Sequence, residues 1–258
     1  MMEIHTKVLQ FSDEPPLGNL GKLVPLGGNE PRIAGSVGAL FFDMDGTMVD
    51  SMPHHWASWV EFAKKHGVDI SLEELMLRTS GKNGMECARA VLEQPQMEEA
   101  VAWAMVHEKE QLYRDIFGPI FTEVAGFKAF ATKARSRGLK IGVGTAGDIH
   151  NVEFVLKHLQ LNPAPDAIAR GDEGLTGKPT PAIFLEAAKR IKTPPKKCIV
   201  FEDVPHGIEA ARRAGMRAVA ICAGHTATEL AGPHVIATVA NYNELLNANF
   251  LENLHVAA

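Results

Sequence analysis

A short apolar run that ends in two aspartates constrains the fold of this chain more than any other stretch. Residues 37–42 carry no charge and follow Gly35-Ser36, which predicts a strand buried on both faces. Asp43 and Asp45 come next, and in a continuing strand their side chains would project to the same side. Carboxylates that close repel each other, so one stays protonated unless a cation or a function keeps them together. An Asx-type turn at Gly46 is the alternative interpretation of this local pattern.

The order of the other patterns predicts an α/β fold. After residue 118, apolar runs alternate with helical patterns, which indicates a Rossmann-like parallel sheet with helices on both faces. Residues 52–118, which we call the helical insert, differ because their apolar positions repeat at helical spacing. The predicted organisation is an N-terminal arm (1–35), a core domain (36–51 and 119–258) and a helical cap domain (52–118).

Composition limits the classes of partner. The 258 residues are 46% hydrophobic and 22% charged, as in ordinary globular proteins. A net charge of -5 gives no basic surface for nucleic acid. The sequence also has no polybasic segment and no long apolar segment that would indicate binding to a membrane. The three cysteines lack C-x-x-C spacing and the N-terminus lacks a secretory pattern. We therefore expect reduced thiols, a cytoplasmic location, and a monomer or weak homodimer.

Polar residues at the predicted strand ends are the candidates for a site, because ligands bind beyond the carboxyl ends of parallel strands. Thr145 and Ala146 follow the second apolar run of the core and lead into a helix start, whose N–H groups suit an anion. A later loop presents Lys178, and a further buried run ends in Glu202-Asp203. Carboxylates without His or Cys suit Mg2+, while the ammonium and the hydroxyl suit a phosphate.

These motifs, in this order, resemble those of the haloacid dehalogenase superfamily. Its pattern is an Asp-x-Asp-Gly-Thr motif, a Thr or Ser after the second strand, a Lys and a late acidic pair. The matching residues here are Asp43-Met44-Asp45-Gly46-Thr47, Thr145, Lys178 and Glu202-Asp203. The helical insert resembles the cap of the β-phosphoglucomutase-like subfamily, and Asp50-Ser51, His55 and Trp59 match that pattern too.

The resemblance implies a phosphoryl-transfer mechanism. Asp43 would attack phosphorus and form an aspartyl phosphate, and Asp45 would serve as general acid and base. Mg2+ would be held by Asp43, the Asp45 main-chain carbonyl and Asp203. Glu202 would either be an outer contact of the metal or contact the residues that bind it. The residues implied to bind the phosphoryl oxygens are Thr145, Ala146 and Lys178.

The helical insert decides whether water or a sugar hydroxyl accepts the phosphoryl group. β-Phosphoglucomutases carry an arginine in the cap shortly after a glycine. When that glycine is aligned with Gly81 of this chain, Gly84 occupies the position of the arginine, so the arginine is missing here. Candidate substitutes for it are Lys82, Asn83, Arg78 and Lys109. We therefore favour a Mg2+-dependent phosphatase of a small sugar or polyol phosphate over a phosphosugar mutase. The insert residues expected to contact the substrate are His55, Trp59, Gly81, Lys82 and Asn83.

Two further enzyme classes have weaker support. A phosphonatase would need a Schiff-base lysine in the cap, for which Lys82 is the candidate. Residues 142–147 fit the G-x-G-x-x-G pattern of a dinucleotide site, with Asp166 at about the right distance for an NAD-dependent oxidoreductase. However, Asp166 precedes its predicted strand, and the dinucleotide interpretation explains none of the other motifs. A non-catalytic binding protein would be expected to lose Asp43 or Asp45.

Overall fold

The computed structural model describes residues 35–79 and 82–256, so the predicted N-terminal arm, apart from Gly35, and Gly81 lie outside the described residues. The strands are β1 (Ser36–Val37), β2 (Ala39–Phe42), β3 (Lys140–Gly144), β4 (Ala167–Ala169), β5 (Cys198–Glu202), β6 (Arg217–Ile221), β7 (Val235–Val239) and β8 (His255–Val256). The helices are α1 (Met52–Lys65), α2 (Leu72–Thr79), α3 (Gly84–Val91), α4 (Glu99–Phe117), α5 (Phe127–Ser136), α6 (Ile149–Leu159), α7 (Ala182–Ile191), α8 (Pro205–Arg213) and α9 (Tyr242–Asn247). None of the described helices combines the length and hydropathy that a membrane crossing needs.

Strand β2 is the point from which the main sheet is built. Within the described ranges, six parallel strands are ordered β4-β3-β2-β5-β6-β7, so the chain adds β3 and β4 on one side of β2 and then β5 to β7 on the other. Such a reversal opens a crevice at the carboxyl ends of the strands, where ligands bind in open α/β sheets. The predicted α/β fold with a parallel sheet is confirmed. Strands β1 and β8 form a separate parallel pair.

The apolar character of β2 follows from its burial on both faces. Leu40 and Phe42 pack into one cluster with helices α5, α6 and α9, whereas Ala39 and Phe41 pack into a second cluster with α7 and α8. All four side chains are fully buried. A central parallel strand covered by helices on both sides leaves no position for a solvated polar side chain.

Helices α1 to α4 form the helical insert and lie between β2 and β3 in the sequence. They pack around their own apolar cluster, which includes Phe62, Leu75 and Val106. Helix α4 also reaches the core, because Tyr113 and Phe117 near its end belong to the cluster beneath β2. A single helix is therefore packed at one end in the insert and at the other end in the core.

Two glycines of the dinucleotide-like pattern lie inside β3, where they leave space for aromatic rings. A Cβ atom on Gly142 would collide with the ring of Phe41 on the neighbouring strand. A Cβ atom on Gly144 would collide with the ring of Phe184 from α7. Close packing of the sheet against its helices thus accounts for these glycines without a nucleotide.

This packing predicts that Gly142→Ala lowers the free energy of unfolding by about 1–3 kcal/mol, because the added methyl forces the Phe41 ring to shift. Gly224→Ala is the matched control, since a Cβ atom there meets nothing within 4 Å. The control should change the free energy by less than about 0.5 kcal/mol. Urea denaturation of both variants measures the difference, and equal stabilities would contradict the packing explanation.

Candidate active site

The carboxyl ends of β2 and β5 bring three acidic side chains together. Phe42 is in register with Phe201, and the N–H of Asp43 donates to the Phe201 carbonyl at 3.0 Å. Asp43, Glu202 and Asp203 can each place one carboxylate oxygen within 4.8 Å of the other two. Their relative exposures of 7%, 0% and 2% mark a buried acidic cluster, a costly arrangement unless cations balance it.

Lys178 supplies one such cation from the loop after β4. Its ammonium donates to Asp43 Oδ1 and, at 2.6 Å, to Glu202 Oε1. The other oxygen of Glu202 accepts from the backbone N–H groups of Asp203 at 3.0 Å and Val204 at 3.2 Å, so both oxygens are engaged. Burial lowers the pKa of Lys178, but Asp43 and Glu202 outweigh burial and raise this pKa above its ordinary value. The lysine therefore stays charged.

One ammonium does not balance three carboxyl groups. Burial raises the pKa of Asp43 to about 7, with Lys178 opposing that shift and Glu202 reinforcing it. Burial, and then the charges of Glu202 and Asp43, raise the pKa of Asp203 well above its ordinary value. Thr47 Oγ1 donates to Asp203 Oδ1 at 2.9 Å and orients that carboxyl. A buried, all-oxygen donor set with excess negative charge fits Mg2+.

Asp45 faces the helical insert and has a different set of partners. Strand β2 ends at Phe42, so the strand alternation does not extend to Asp45 and cannot set the direction of its side chain. Asp45 Oδ1 accepts from Ser51 Oγ at 2.7 Å and from Tyr113 Oη at 3.2 Å, and His55 Nε2 lies 3.2 Å from it. Burial alone would raise the pKa of Asp45, but His55, Ser51 and Lys109 together lower it. These neighbours favour the carboxylate form.

His55 is held from behind by a buried lysine. Lys109 Nζ lies 2.7 Å from His55 Nδ1, so Nδ1 accepts from the ammonium. The other ring nitrogen, Nε2, is buried 3.2 Å from Asp45 Oδ1 but makes no hydrogen bond of normal geometry. The His55 ring stacks on Tyr113 with a centroid distance of 3.7 Å. Lys109 is 2% exposed, and its ammonium lies 5.2 Å from the centroid of the Trp59 ring. Trp59 thus contacts the lysine that supports His55.

Thr145 and Ala146 lie at the carboxyl end of β3, next to β2 in the sheet. Thr145 is buried, and its Oγ1 accepts from the Gly147 N–H at 2.9 Å, which leaves its hydroxyl hydrogen for another acceptor. Helix α6 begins four residues later with Asp148 as its N-cap, accepting from the Asn151 N–H at 2.8 Å. A Cβ atom on Gly171 would collide with the Ala146 carbonyl, so these two backbones approach closely.

The residues expected to form a substrate loop in the helical insert are not joined to this cluster. Asn83 is the N-cap of α3, where Oδ1 accepts from the Glu86 N–H at 3.0 Å, and Glu86 returns a bond to the Asn83 N–H at 2.9 Å. Lys82 is exposed. Within residues 35–79 and 82–256, neither side chain makes a hydrogen bond or ion pair to the carboxylates at the strand ends.

Sequence reasoning missed part of the network around Asp45. In α4 the buried positions are Ala102, Val106, Lys109, Tyr113 and Phe117, which follow the 3–4-residue spacing of one helical face. A lysine on such an apolar face is almost never buried without a partner. The position of Lys109 in the helical pattern was therefore the signal that could have indicated a buried polar network. Asn151, buried in the first turn of α6, carries no comparable signal because capping residues are common there.

Comparison with known proteins gives a consistent result. A family model for haloacid dehalogenase-like hydrolases matches residues 37–215. A fructose-1-phosphate phosphatase of Escherichia coli is 32% identical over 180 residues, which cover 70% of this chain and 94% of that protein.

Two solved structures share the fold over most of their length. A family IA haloacid dehalogenase hydrolase from Entamoeba histolytica superposes with a TM-score of 0.75 at 26% identity, covering 83% of this chain and 99% of that one. A β-phosphoglucomutase from Clostridium difficile superposes with a TM-score of 0.71 at 28% identity, covering 84% of this chain and 96% of that one. The chain is therefore similar both to a named phosphatase and to a named mutase.

The excess negative charge predicts that Asp203→Asn stabilises the protein in the presence of a chelator. The raised pKa of Asp203 means that the folded state keeps this proton after the unfolded chain has lost it, so wild-type stability falls as pH rises from the ordinary aspartate pKa to the raised one. Asparagine has no proton to lose, so its gain in the free energy of unfolding over the wild type should be larger at pH 8 than at pH 5 by about 1 kcal/mol.

Urea denaturation with EDTA at the two pH values measures this gain. The control is Asp69→Asn, which removes an exposed carboxylate and should have little effect at either pH. A gain of equal size at pH 5 and pH 8, or a loss at pH 8, would show that charge repulsion does not strain the cluster.

Proposed function

The chain belongs to the haloacid dehalogenase-like hydrolase family, and on this basis we propose that it is a Mg2+-dependent phosphatase of small sugar or polyol phosphates. The observation that carries the proposal is the Lys178 ammonium held between Asp43 and Glu202, beside Asp203. This arrangement supports the proposal of a buried nucleophile, a fixed cation and a metal-binding acid at the carboxyl ends of β2 and β5. The similarity to a fructose-1-phosphate phosphatase supports the substrate class.

Asp43 is proposed as the nucleophile. A carboxylate oxygen of Asp43 bonds to phosphorus while the bond from phosphorus to the leaving oxygen breaks, giving an aspartyl phosphate. The ammonium of Lys178 restrains Asp43 and places positive charge where the phosphoryl oxygens would lie. The Thr145 hydroxyl supports the same role, because its hydrogen is left to donate to a phosphoryl oxygen.

Asp45 is proposed as the general acid and base. In the first step it gives a proton to the leaving oxygen; in the second it takes a proton from the water that attacks phosphorus and releases Asp43. The neighbours that lower the pKa of Asp45 favour the carboxylate, which is the form needed by the second step. The bond from Ser51 and the contact with His55 hold that carboxylate at the boundary between core and insert.

Asp43, Asp203 and the main-chain carbonyl of Asp45 are the proposed ligands of Mg2+. Glu202 is proposed to lie behind them, because both of its oxygens already accept hydrogen bonds from Lys178 and the backbone. When bound, Mg2+ supplies positive charge that offsets the charges of the carboxylates and the phosphoryl group.

The helical insert supports hydrolysis over transfer to a sugar phosphate. Gly84 stands where a mutase carries its cap arginine, and a Cβ atom there would press against Val106. Two of the possible substitutes are already engaged: Arg78 pairs with Glu74 and Glu93, and Lys109 bonds to His55 and Glu110. A second phosphate would therefore find few uncommitted cations, of which Lys82 is the exposed candidate.

Asp43→Asn is predicted to abolish phosphate release from sugar phosphates, because an amide cannot form the aspartyl phosphate. A loss of at least about a thousandfold in kcat is expected, comparable to removing other enzymatic nucleophiles. A phosphate-release screen with Mg2+ over fructose 1-phosphate, other sugar phosphates and polyol phosphates provides the measurement, and EDTA should suppress the wild-type signal. Undiminished turnover by Asp43→Asn would overturn the proposed mechanism.

The mutase alternative, favoured by the similarity to a β-phosphoglucomutase, has its own test. With β-glucose 1-phosphate and a bisphosphate primer, we expect any turnover to yield free phosphate with little glucose 6-phosphate. A coupled dehydrogenase assay for the 6-phosphate, run beside the phosphate assay, separates the two products. Rapid 6-phosphate formation without free phosphate would establish the mutase instead.

A further inference from the structure

A chain of partly buried polar contacts continues from Lys109 into the core, beyond the groups that touch Asp45. Glu110 Oε1 accepts from Lys109 Nζ at 2.9 Å, and Glu110 Oε2 accepts from Asn151 Nδ2 at 2.8 Å. Asn151 Oδ1 in turn accepts from Arg114 Nη1 at 2.7 Å. Burial raises the pKa of Glu110, but Lys109, His55 and Asn151 bring it below its ordinary value, so Glu110 is an anion.

The two ends of this contact chain belong to different parts of the molecule. Glu110 lies on α4 in the helical insert, whereas Asn151 is 2% exposed in the first turn of α6 in the core. Helix α6 follows directly from the Thr145 segment proposed to bind the phosphoryl group. A shift of α4 relative to α6 would therefore break the contacts of Asn151.

We propose that Glu110 and Asn151 are positioning residues that align His55 with Asp45 only when α4 is seated against α6. The proposal rests on the proposed function, since it concerns the acid–base step of that reaction. Neither residue touches the reacting atoms. They act through Lys109, whose ammonium bonds to Glu110 on one side and to His55 Nδ1 on the other.

The geometry explains why Asn151 in particular can sense the seating of α4. Its amide donates through Nδ2 to Glu110 and accepts through Oδ1 from Arg114, two residues that are four positions apart on α4. Residues at this spacing lie on the same helical face, about one turn apart. Both bonds therefore form at only one register of α4 against α6.

Loss of the Asn151 bond has a direct consequence for the proton path. Only 17% of the Glu110 side chain is exposed, so a carboxylate that loses this donor would have to turn towards another one, and Lys109 would lose its fixed counter-ion. Lys109 Nζ holds the Nδ1 side of His55, and this contact keeps the buried Nε2 at 3.2 Å from Asp45 Oδ1. Misalignment of His55 would then leave Asp45 poorly placed to protonate the leaving oxygen.

The test compares a sugar phosphate with p-nitrophenyl phosphate. An alkoxide leaving group needs a proton from Asp45, whereas nitrophenolate departs without one, so only the sugar phosphate depends on the aligned acid. The parameter is kcat/KM, because it excludes the later hydrolysis of the aspartyl phosphate, a step that both esters share. Fructose 1-phosphate is the first sugar phosphate to use.

For Asn151→Ala we expect kcat/KM for fructose 1-phosphate to fall roughly tenfold more than kcat/KM for p-nitrophenyl phosphate. Glu110→Gln is the second variant and keeps the shape of the side chain. Lys109 and Asn151 donate to different oxygens of Glu110, and glutamine replaces one of these oxygens with an NH2 group that cannot accept, so the same selective loss is expected. Gln111→Ala is the matched control, an exposed neighbour on α4 that also bonds to Arg114 and should leave the ratio unchanged.

Each outcome decides the question. Equal losses for both esters in Asn151→Ala and Glu110→Gln, or no loss for either, would overturn the positioning role. If Asn151→Ala fails to fold, as judged by circular dichroism, Glu110→Gln carries the test alone. If the wild-type protein releases phosphate from neither ester, the proposed function is overturned. If the wild type is active but the variants keep its ratio of kcat/KM values for the two esters, only the positioning role is overturned.

Discussion

The ammonium of Lys178 between Asp43 and Glu202 is the interaction on which the rest of the site depends. The parallel sheet brings the ends of β2 and β5 side by side, and both ends are acidic. Without a buried cation, these carboxylates would have to protonate or move apart. Lys178 allows a carboxylate to remain a candidate nucleophile in a buried site. It still leaves excess negative charge, which a divalent metal would balance.

Helix α4 gives the molecule its second constraint. One end packs in the helical insert and the other beneath the sheet, so the helix belongs to both parts. The groups around Asp45 come from this boundary, because Tyr113 and Lys109 lie on α4 and His55 on α1. In the proposed mechanism, the nucleophile and the metal ligands lie at the carboxyl ends of the central strands. The acid–base group instead responds to the position of the insert.

Much of the fold was predictable because its signals are local. Apolar runs alternating with helical patterns indicate a parallel sheet, and the uncharged first run indicates a strand buried on both faces. The glycines of β3 were ambiguous, since a dinucleotide loop and a strand beneath aromatic rings need the same small residue. Only the neighbouring side chains Phe41 and Phe184 distinguish the two. The direction of Asp45 could not be predicted from alternation, because β2 stops at Phe42.

The sequence by itself determined the class of fold, the family and the candidate acidic, hydroxyl and lysine groups, because these depend on residue type and order. Tertiary structure alone decided which groups meet. Lys178 and Asp43 are 135 positions apart, and Glu110 and Asn151 are 41 apart, so no local pattern relates them. Such contacts depend on the order of strands in the sheet and on the seating of one helix against another, which are properties of the packed core.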